Sequence, residues 1–239
     1  MAAARTLLPL VGVMAKAPRA GHAKTRLTQA FPPEVAANVY LHFLRDTVDA
    51  VRRVAGAETI LVCPAGDSSD LRRLGLGLPI IEQVEPGLMH GLAFGIAHGL
   101  SAGHPAVVLV NGDSPTLPPE RIAEVLAALD RHDVVLGPTA DGGYYAIAAA
   151  VPCDRLLCDE PYPDGTTICR DTLARARQLG LRGGGVSPWF DIDLPLELGQ
   201  LALLLADAPP EVARHTRRAL ATYRDLVAPL IAGRGSSPS

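Results

Sequence analysis

Ala106-Val107-Val108-Leu109-Val110-Asn111-Gly112-Asp113-Ser114-Pro115-Thr116-Leu117-Pro118-Pro119 decides the fold. The five apolar residues that open it suit a strand buried on both faces, as in a parallel sheet covered by helices. Asn-Gly-Asp-Ser-Pro then ends the strand in a polar turn. Pro118-Pro119 opens a helix whose Ile122, Val125, Leu126 and Leu129 share one face. Outward from this unit the same alternation repeats. Leu7–Met14, Thr59–Cys63 and Pro79–Ile81 read as strands before it, and Asp133–Leu136 and Tyr144–Ala149 as strands after it. Pro32-Pro33 opens a long helix with Val35, Val39, Leu41, Leu44, Val48 and Val51 at helical spacing, closed by Arg52 and Arg53 near its negative end. His90–Leu100 reads as a glycine-interrupted helix, and Thr166–Leu179, Leu196–Ala206 and Glu211–Ile231 as further helices, with Gly183–Gly185 as a break. Strands alternating with helices predict a three-layer αβα, Rossmann-like fold with a mostly parallel central sheet.

The 239 residues are 48% hydrophobic and 20% charged, with a formal net charge of −3. That is too apolar for a disordered chain and too close to neutral for a dedicated binder of nucleic-acid polymers. No apolar run reaches the roughly 20 residues that cross a bilayer. With aromatics at 4%, the core must be aliphatic. Leu7–Ala15 superficially mimics a signal peptide, but Pro9 and Gly12 break it and a Gly/Lys/Arg segment follows, so a core strand and a cytoplasmic location are expected. Cys63, Cys153, Cys158 and Cys169 form no C-x-x-C pair and are expected as reduced thiols. One domain over residues 1–232 is expected, with a family-like core at about 7–206, an added helix at 211–231 and a disordered polar tail at 233–239.

Ligands of open α/β sheets sit beyond the carboxyl ends of the strands, and polar clusters stand at these places. The first is Lys16-Ala17-Pro18-Arg19-Ala20-Gly21-His22-Ala23-Lys24-Thr25-Arg26-Leu27. Gly21 permits close backbone approach, and Lys16, Lys24 and Arg26 supply cations, a combination suited to a di- or triphosphate although it is no Walker A sequence. The second is Asn111-Gly112-Asp113-Ser114-Pro115, where Asp113 is a hard-cation ligand or a turn residue. In Asp191-Ile192-Asp193 the alternate carboxylates share a face, ready to complete a Mg²⁺ site with Asp113 or to cap the helix behind Pro195. Asp141-Gly142-Gly143-Tyr144-Tyr145 is either a turn into a strand or the border of a base, sugar or acceptor pocket.

Together, Lys16-x-Pro18-x-x-Gly21-x-x-Lys24-Thr25-Arg26-Leu27, Gly112-Asp113-Ser114-Pro115, Asp141-Gly142-Gly143-Tyr144-Tyr145 and Asp191-x-Asp193 resemble the DUF2064 family. That family, often labelled glycosyltransferase, lies in the GT-A, nucleotide-diphospho-sugar transferase superfamily. The chain is more distantly similar to 2-phospholactate and molybdenum-cofactor guanylyltransferases. The resemblance implies a GT-A fold, with Asp113 and Asp193 (or Asp191) on Mg²⁺ or Mn²⁺. It implies nucleotide binding by Lys16, Pro18, Gly21, Lys24, Thr25, Arg26 and Gly112, and catalysis by Lys24, Arg26 and Asp113. Asp141, Gly142, Gly143 and Tyr144 are expected on the acceptor side. Where family members carry Gly-Asp-Leu-Gly-x-Arg, this chain has Glu85-Pro86-Gly87-Leu88-Met89-His90-Gly91-Leu92, with His90 and no arginine. The DxD pair of sugar transferases is reduced to Asp113.

The basic loop favours nucleotidyl transfer: an NTP and a phosphorylated or phosphonate small molecule react with release of pyrophosphate. Glycosyl transfer from an NDP-sugar, with Asp141 or Asp191 as base, is the alternative. A non-catalytic nucleotide-binding module is the third reading. The partners are a nucleotide and a small-molecule acceptor, with no nucleic-acid polymer and no membrane, and the oligomeric state is left open.

Overall fold

The computed structural model describes residues 7–157 and 165–232, so Cys158 and the polar tail lie outside the described residues. Chain contacts divide it into two compact units. The first comprises the residues up to Ala15, Ala50–Asn111 and Leu117–Phe190; the second comprises Lys16–Asp49, Gly112–Thr116 and the residues from Asp191 on.

The first unit is built on a seven-stranded sheet of order β3-β2-β1-β4-β6-β5-β7. The strands are β1 (Leu10–Met14), β2 (Glu58–Cys63), β3 (Ile80–Glu82), β4 (Val107–Asn111), β5 (Val134–Pro138), β6 (Tyr144–Ala149) and β7 (Gly183–Gly185). β6 is antiparallel to β4 and β5, and every other pairing is parallel. Central β1 and β4 are apolar on both sides, as their sequences require. Leu10, Val107 and Leu109 join Ile60, Val62, Leu136 and Ile147 in one buried cluster, while Val11, Val13, Val108, Val110 and Val135 point the other way and are fully buried.

Helix α3 (Leu88–Ser101) is covered on its sheet side by Gly91, Gly95 and Gly99, one per turn. A Cβ on Gly95 would stand 2.9 Å from Leu109 Cδ1, and one on Gly99 would stand 2.5 Å from Val107 Cγ2. The glycines that weaken helix propensity by about 1 kcal/mol each are what let the helix backbone lie on the sheet. The shorter α2 (Ser68–Arg73) buries Leu71, α4 (Pro119–Ala128) buries Ile122 and Val125, and α5 (Ile168–Gln178) buries Ala176.

Gly183–Gly185, expected as a break, is instead the edge strand β7, paired in parallel with β5 from Val134↔Gly183 to Leu136↔Gly185. Glycines leave no side-chain period to read, yet a Cβ at Gly184 would lie 2.6 Å from the His132 ring. The edge is pinned by Arg182, whose N–H donates to Asp133 Oδ2 at 2.8 Å and whose Nη2 donates to Oδ1 at 2.7 Å.

In the second unit, α1 (Pro33–Arg52) supplies all but its last residues, followed by α6 (Pro195–Asp207). The helix expected over 211–231 is two helices, α7 (Arg214–Thr222) and α8 (Arg224–Ala232). The start of α7 is set by Asp46 of α1, which accepts from His215 N–H at 3.0 Å and from Thr216 N–H and Oγ1 at 2.7 Å. Burial raises the Asp46 pKa, against the Thr216 and His215 hydrogen bonds that lower it. Among the described residues Cys63, Cys153 and Cys169 are free thiols, and no helix is long and apolar enough to cross a membrane.

Candidate active site

The segment that follows β1 in the chain is anchored by apolar residues and exposes its polar ones. Ala17, Ala23 and Leu27 are buried, while Lys16, Gly21, Thr25 and Arg26 are exposed and Pro18 is half-buried. Lys16 N–H donates to Tyr40 Oη of α1 at 3.0 Å, and His22 N–H to Arg19 O at 3.0 Å. Thr25–Gln29 then forms a 3₁₀ turn with Lys24 as its N-terminal flank. Lys24 itself is left-handed (φ 51°, ψ 44°), a conformation that costs a non-glycine residue about 1–2 kcal/mol and persists only where the surroundings hold it.

What holds it is a pair of carboxylates. Lys24 Nζ donates to Asp113 Oδ2 and to Asp193 Oδ1, both at 2.5 Å, and the lysine side chain is only 5% exposed. Arg26 Nη1, far more exposed, reaches Asp193 Oδ2 at 3.4 Å. Three sequence segments therefore meet at one ammonium: the basic loop, the turn after β4 and the Asp191–Asp193 segment. Burial alone would discharge Lys24, but Asp113 and Asp193 outweigh it and the lysine pKa is raised. Burial also acts to raise the Asp193 pKa, yet Lys24, Arg26 and Lys16 prevail and hold it below the ordinary carboxylate value.

Local hydrogen bonds place both acids. Ile192 is buried and its N–H donates to Asp113 O at 3.1 Å, tying the two acidic segments together. The alternation expected of Asp191-Ile192-Asp193 is thus present, with Ile192 inward and both acids half-buried. Capping falls to Glu197, whose Oε2 accepts from Asp193 N–H at 2.6 Å and Leu194 N–H at 2.7 Å. That leaves the Asp193 carboxylate to the lysine. Glu197 and Tyr40 were not among the expected site residues; an acid three positions after Leu194, behind Pro195, is the visible signature of the first.

Asp113 Oδ1, Ser114 Oγ and Thr116 Oγ1 are buried with no hydrogen-bond partner among the described residues. An orphaned carboxylate oxygen is costly to bury, and it lies on one of the two carboxylates that converge on Lys24. This donor set of hard oxygens fits a divalent cation of the Mg²⁺ class.

The other expected residues belong to the first unit. Asp141 Oδ1 accepts from Thr139 Oγ1 at 2.5 Å and from Gly143 N–H at 3.1 Å, closing an Asx turn. Gly142 (φ 92°) abuts the Thr166 carbonyl so closely that no Cβ fits, and its own carbonyl accepts from Cys169 N–H at 2.9 Å. Tyr144 is buried, and its Oη donates to Met89 Sδ at 3.6 Å. In the segment that departs from the family pattern, buried Gln83 donates through Nε2 to Glu85 O and Gly87 O at 2.7 and 2.9 Å. His90 lies with Nδ1 2.9 Å from Pro86 O.

A further group of possible ligands, Asp46, Asp49 and His215, brings one donor atom from each within 4.8 Å of the others. Asp46 is occupied in capping α7, as above, and Asp49 Oδ2 pairs with Arg214 Nη2 at 2.8 Å and His215 Nε2 at 3.1 Å.

The model of the DUF2064 family, described as an uncharacterized protein conserved in bacteria, matches residues 47–163, just under half of the chain. A phosphoenolpyruvate guanylyltransferase of Mycobacterium marinum is 26% identical over 212 residues, covering 87% of this chain and 95% of the relative. One of Mycobacterium leprae is 29% identical over 215 residues, covering 86% and 94%. In fold, a crystal structure from Desulfovibrio desulfuricans G20 assigned to the nucleotide-diphospho-sugar transferases superposes with a TM-score of 0.82 at 22% identity, over 93% of this chain and 97% of that one. A 4-diphosphocytidyl-2C-methyl-D-erythritol synthase from Anaerococcus prevotii follows at 0.55 and 12% identity, over 84% and 95%. The chain thus resembles the DUF2064 family, the relatives named above that match it by sequence are guanylyltransferases, and it shares its fold with the Desulfovibrio desulfuricans structure.

Proposed function

We propose that the protein is a nucleotidyltransferase that couples a nucleoside triphosphate to a phosphorylated small acid and releases pyrophosphate. The observation that carries this reading is the meeting of Lys24 with Asp113 and Asp193, next to Arg26. A basic loop of this kind has a use when the donor brings three phosphates. In the reaction a phosphate oxygen of the acceptor attacks the α-phosphorus, the bond from that phosphorus to the bridging oxygen breaks, and pyrophosphate leaves with the electron pair. The enzyme's task is positioning and charge neutralisation rather than covalent chemistry.

Lys24 and Arg26 bind the β- and γ-phosphates and offset charge at the five-coordinate phosphorus. Lys16, Pro18, Gly21 and Thr25 of the loop and Gly112 of the turn after β4 bind the nucleotide. Asp113 and Asp193 are the residues that would hold Mg²⁺ or Mn²⁺, which supplies further neutralisation of phosphate charge when bound. Glu197 positions Asp193 through the two N–H groups it accepts. Asp141, Gly142, Gly143 and Tyr144 are assigned to the acceptor on their sequence pattern. The names of the relatives by sequence make GTP and phosphoenolpyruvate the first pair to try.

The test is pyrophosphate release with Mg²⁺, each of the four NTPs and a panel of phosphorylated acids that includes phosphoenolpyruvate. Fastest release is expected with GTP and a phosphorylated carboxylic acid. No pyrophosphate with any pair, together with NDP release from a sugar nucleotide, replaces this reading by glycosyl transfer.

A further inference from the structure

We infer that Lys24 is a resident counterion that competes with the divalent cation for Asp113 and Asp193. The nucleotide-free protein then takes up little metal by itself, and the cation enters together with the triphosphate that draws the ammonium away. This rests on the reading of the site as one for a metal-bound nucleotide.

Lys24 Nζ already occupies the point on which the two carboxylates converge, at 2.5 Å from an oxygen of each. An ammonium and a dication cannot share those oxygens without strong repulsion at close range. The carboxylates are the more open partners: Asp193 is 38% and Asp113 21% exposed, against 5% for the lysine beneath them. Lys24 is held in a left-handed backbone and has a more relaxed conformation to adopt once its partners are taken. An incoming triphosphate supplies such an alternative, because it offers the ammonium anionic oxygens in place of carboxylates. Whatever removes Lys24 from the carboxylates raises their affinity for the cation, and the coupling acts equally in the other direction. The lysine thus keeps the acids apart from adventitious metal while the site is empty of nucleotide, and serves the phosphates when it is full.

The experiment is titration of the full, nucleotide-free chain with Mn²⁺ alone, read as loss of the free-ion electron paramagnetic resonance signal. Wild type is compared with Lys24→Gln, Lys24→Asn and the pair Lys24→Gln/Asp113→Asn, each first checked for a cooperative melt. Asparagine tolerates the left-handed backbone, so the second variant covers a folding failure of the first. Weak binding is expected for wild type, binding about tenfold tighter or more for both single variants, and a return to weak binding for the pair. Tight binding by wild type overturns the inference with no variant needed. So does unchanged or weakened binding in a folded single variant, or tight binding that survives Asp113→Asn. Since neither nucleotide nor turnover enters this titration, its failure leaves pyrophosphate release untouched. Absence of pyrophosphate release likewise leaves the metal titration to stand or fall alone.

Discussion

At the scale of residues, the site is an arrangement of charge that the sequence shows only in part. Lys24 and Asp113 were legible because each follows a strand apolar on both faces, where a buried chain must turn and polar groups have a purpose. Asp193 was legible as one of an alternating pair, but its partner was not: the sequence places Lys24 on phosphates, and the structure places it on carboxylates. The difference is physical, since a buried ammonium without phosphate needs another anion. Asp141 was readable as a turn residue or a site residue, and its Oδ1 serves the turn. Replacing Lys24 by alanine is expected to weaken triphosphate binding by about 10- to 100-fold, the worth of a hydrogen bond between charged groups, and to affect a nucleoside monophosphate far less. Calorimetric titration of both ligands checks this, and equal losses would speak against a role at the β- and γ-phosphates.

At the scale of elements, hydrophobic pattern located every strand that has side chains to show a pattern. It missed β7 because three glycines carry no periodicity, and it began the last helical stretch at Glu211 rather than Arg214 because the start of α7 is set by Asp46, more than a hundred positions earlier. The glycine row of α3 reads locally as a weak helix and structurally as a close contact. Gly95→Val is therefore expected to destabilise the fold by about 1–3 kcal/mol through overpacking against Leu109 and Val62, measured as a lower denaturant midpoint. The β7 edge carries its own pH dependence. Hydrogen bonds from Arg182 hold the Asp133 carboxyl down at about 2, below its ordinary 3.8. A carboxyl depressed on folding contributes stability that is complete above the unfolded value and lost as pH falls toward the folded one. The stability gap between wild type and Asp133→Asn should accordingly be constant near neutrality and narrow between pH 3.8 and about 2. A gap that stays constant across that window would show that the ion pair contributes nothing there.

At the scale of the whole molecule, a net charge of −3 conceals a local pairing of opposite charges on three separated stretches of chain. Asp113 lies 89 residues beyond Lys24, and Asp193 lies 169 beyond it. Composition argued against a polymer ligand, but it could not reveal this convergence, which exists only once the chain has returned to itself. The separation also sets a timetable on the ribosome. Translation proceeds at about 5–20 residues per second, so Lys24 and Asp113 emerge seconds before the last acid they require. A nascent chain halted at Phe190 has the loop and the first carboxylate and lacks the second, and it should retain no nucleotide on a filter where the released chain does. On the proposed function, the order of synthesis makes the nucleotide-binding centre a late event, completed only after Asp193 has left the ribosome.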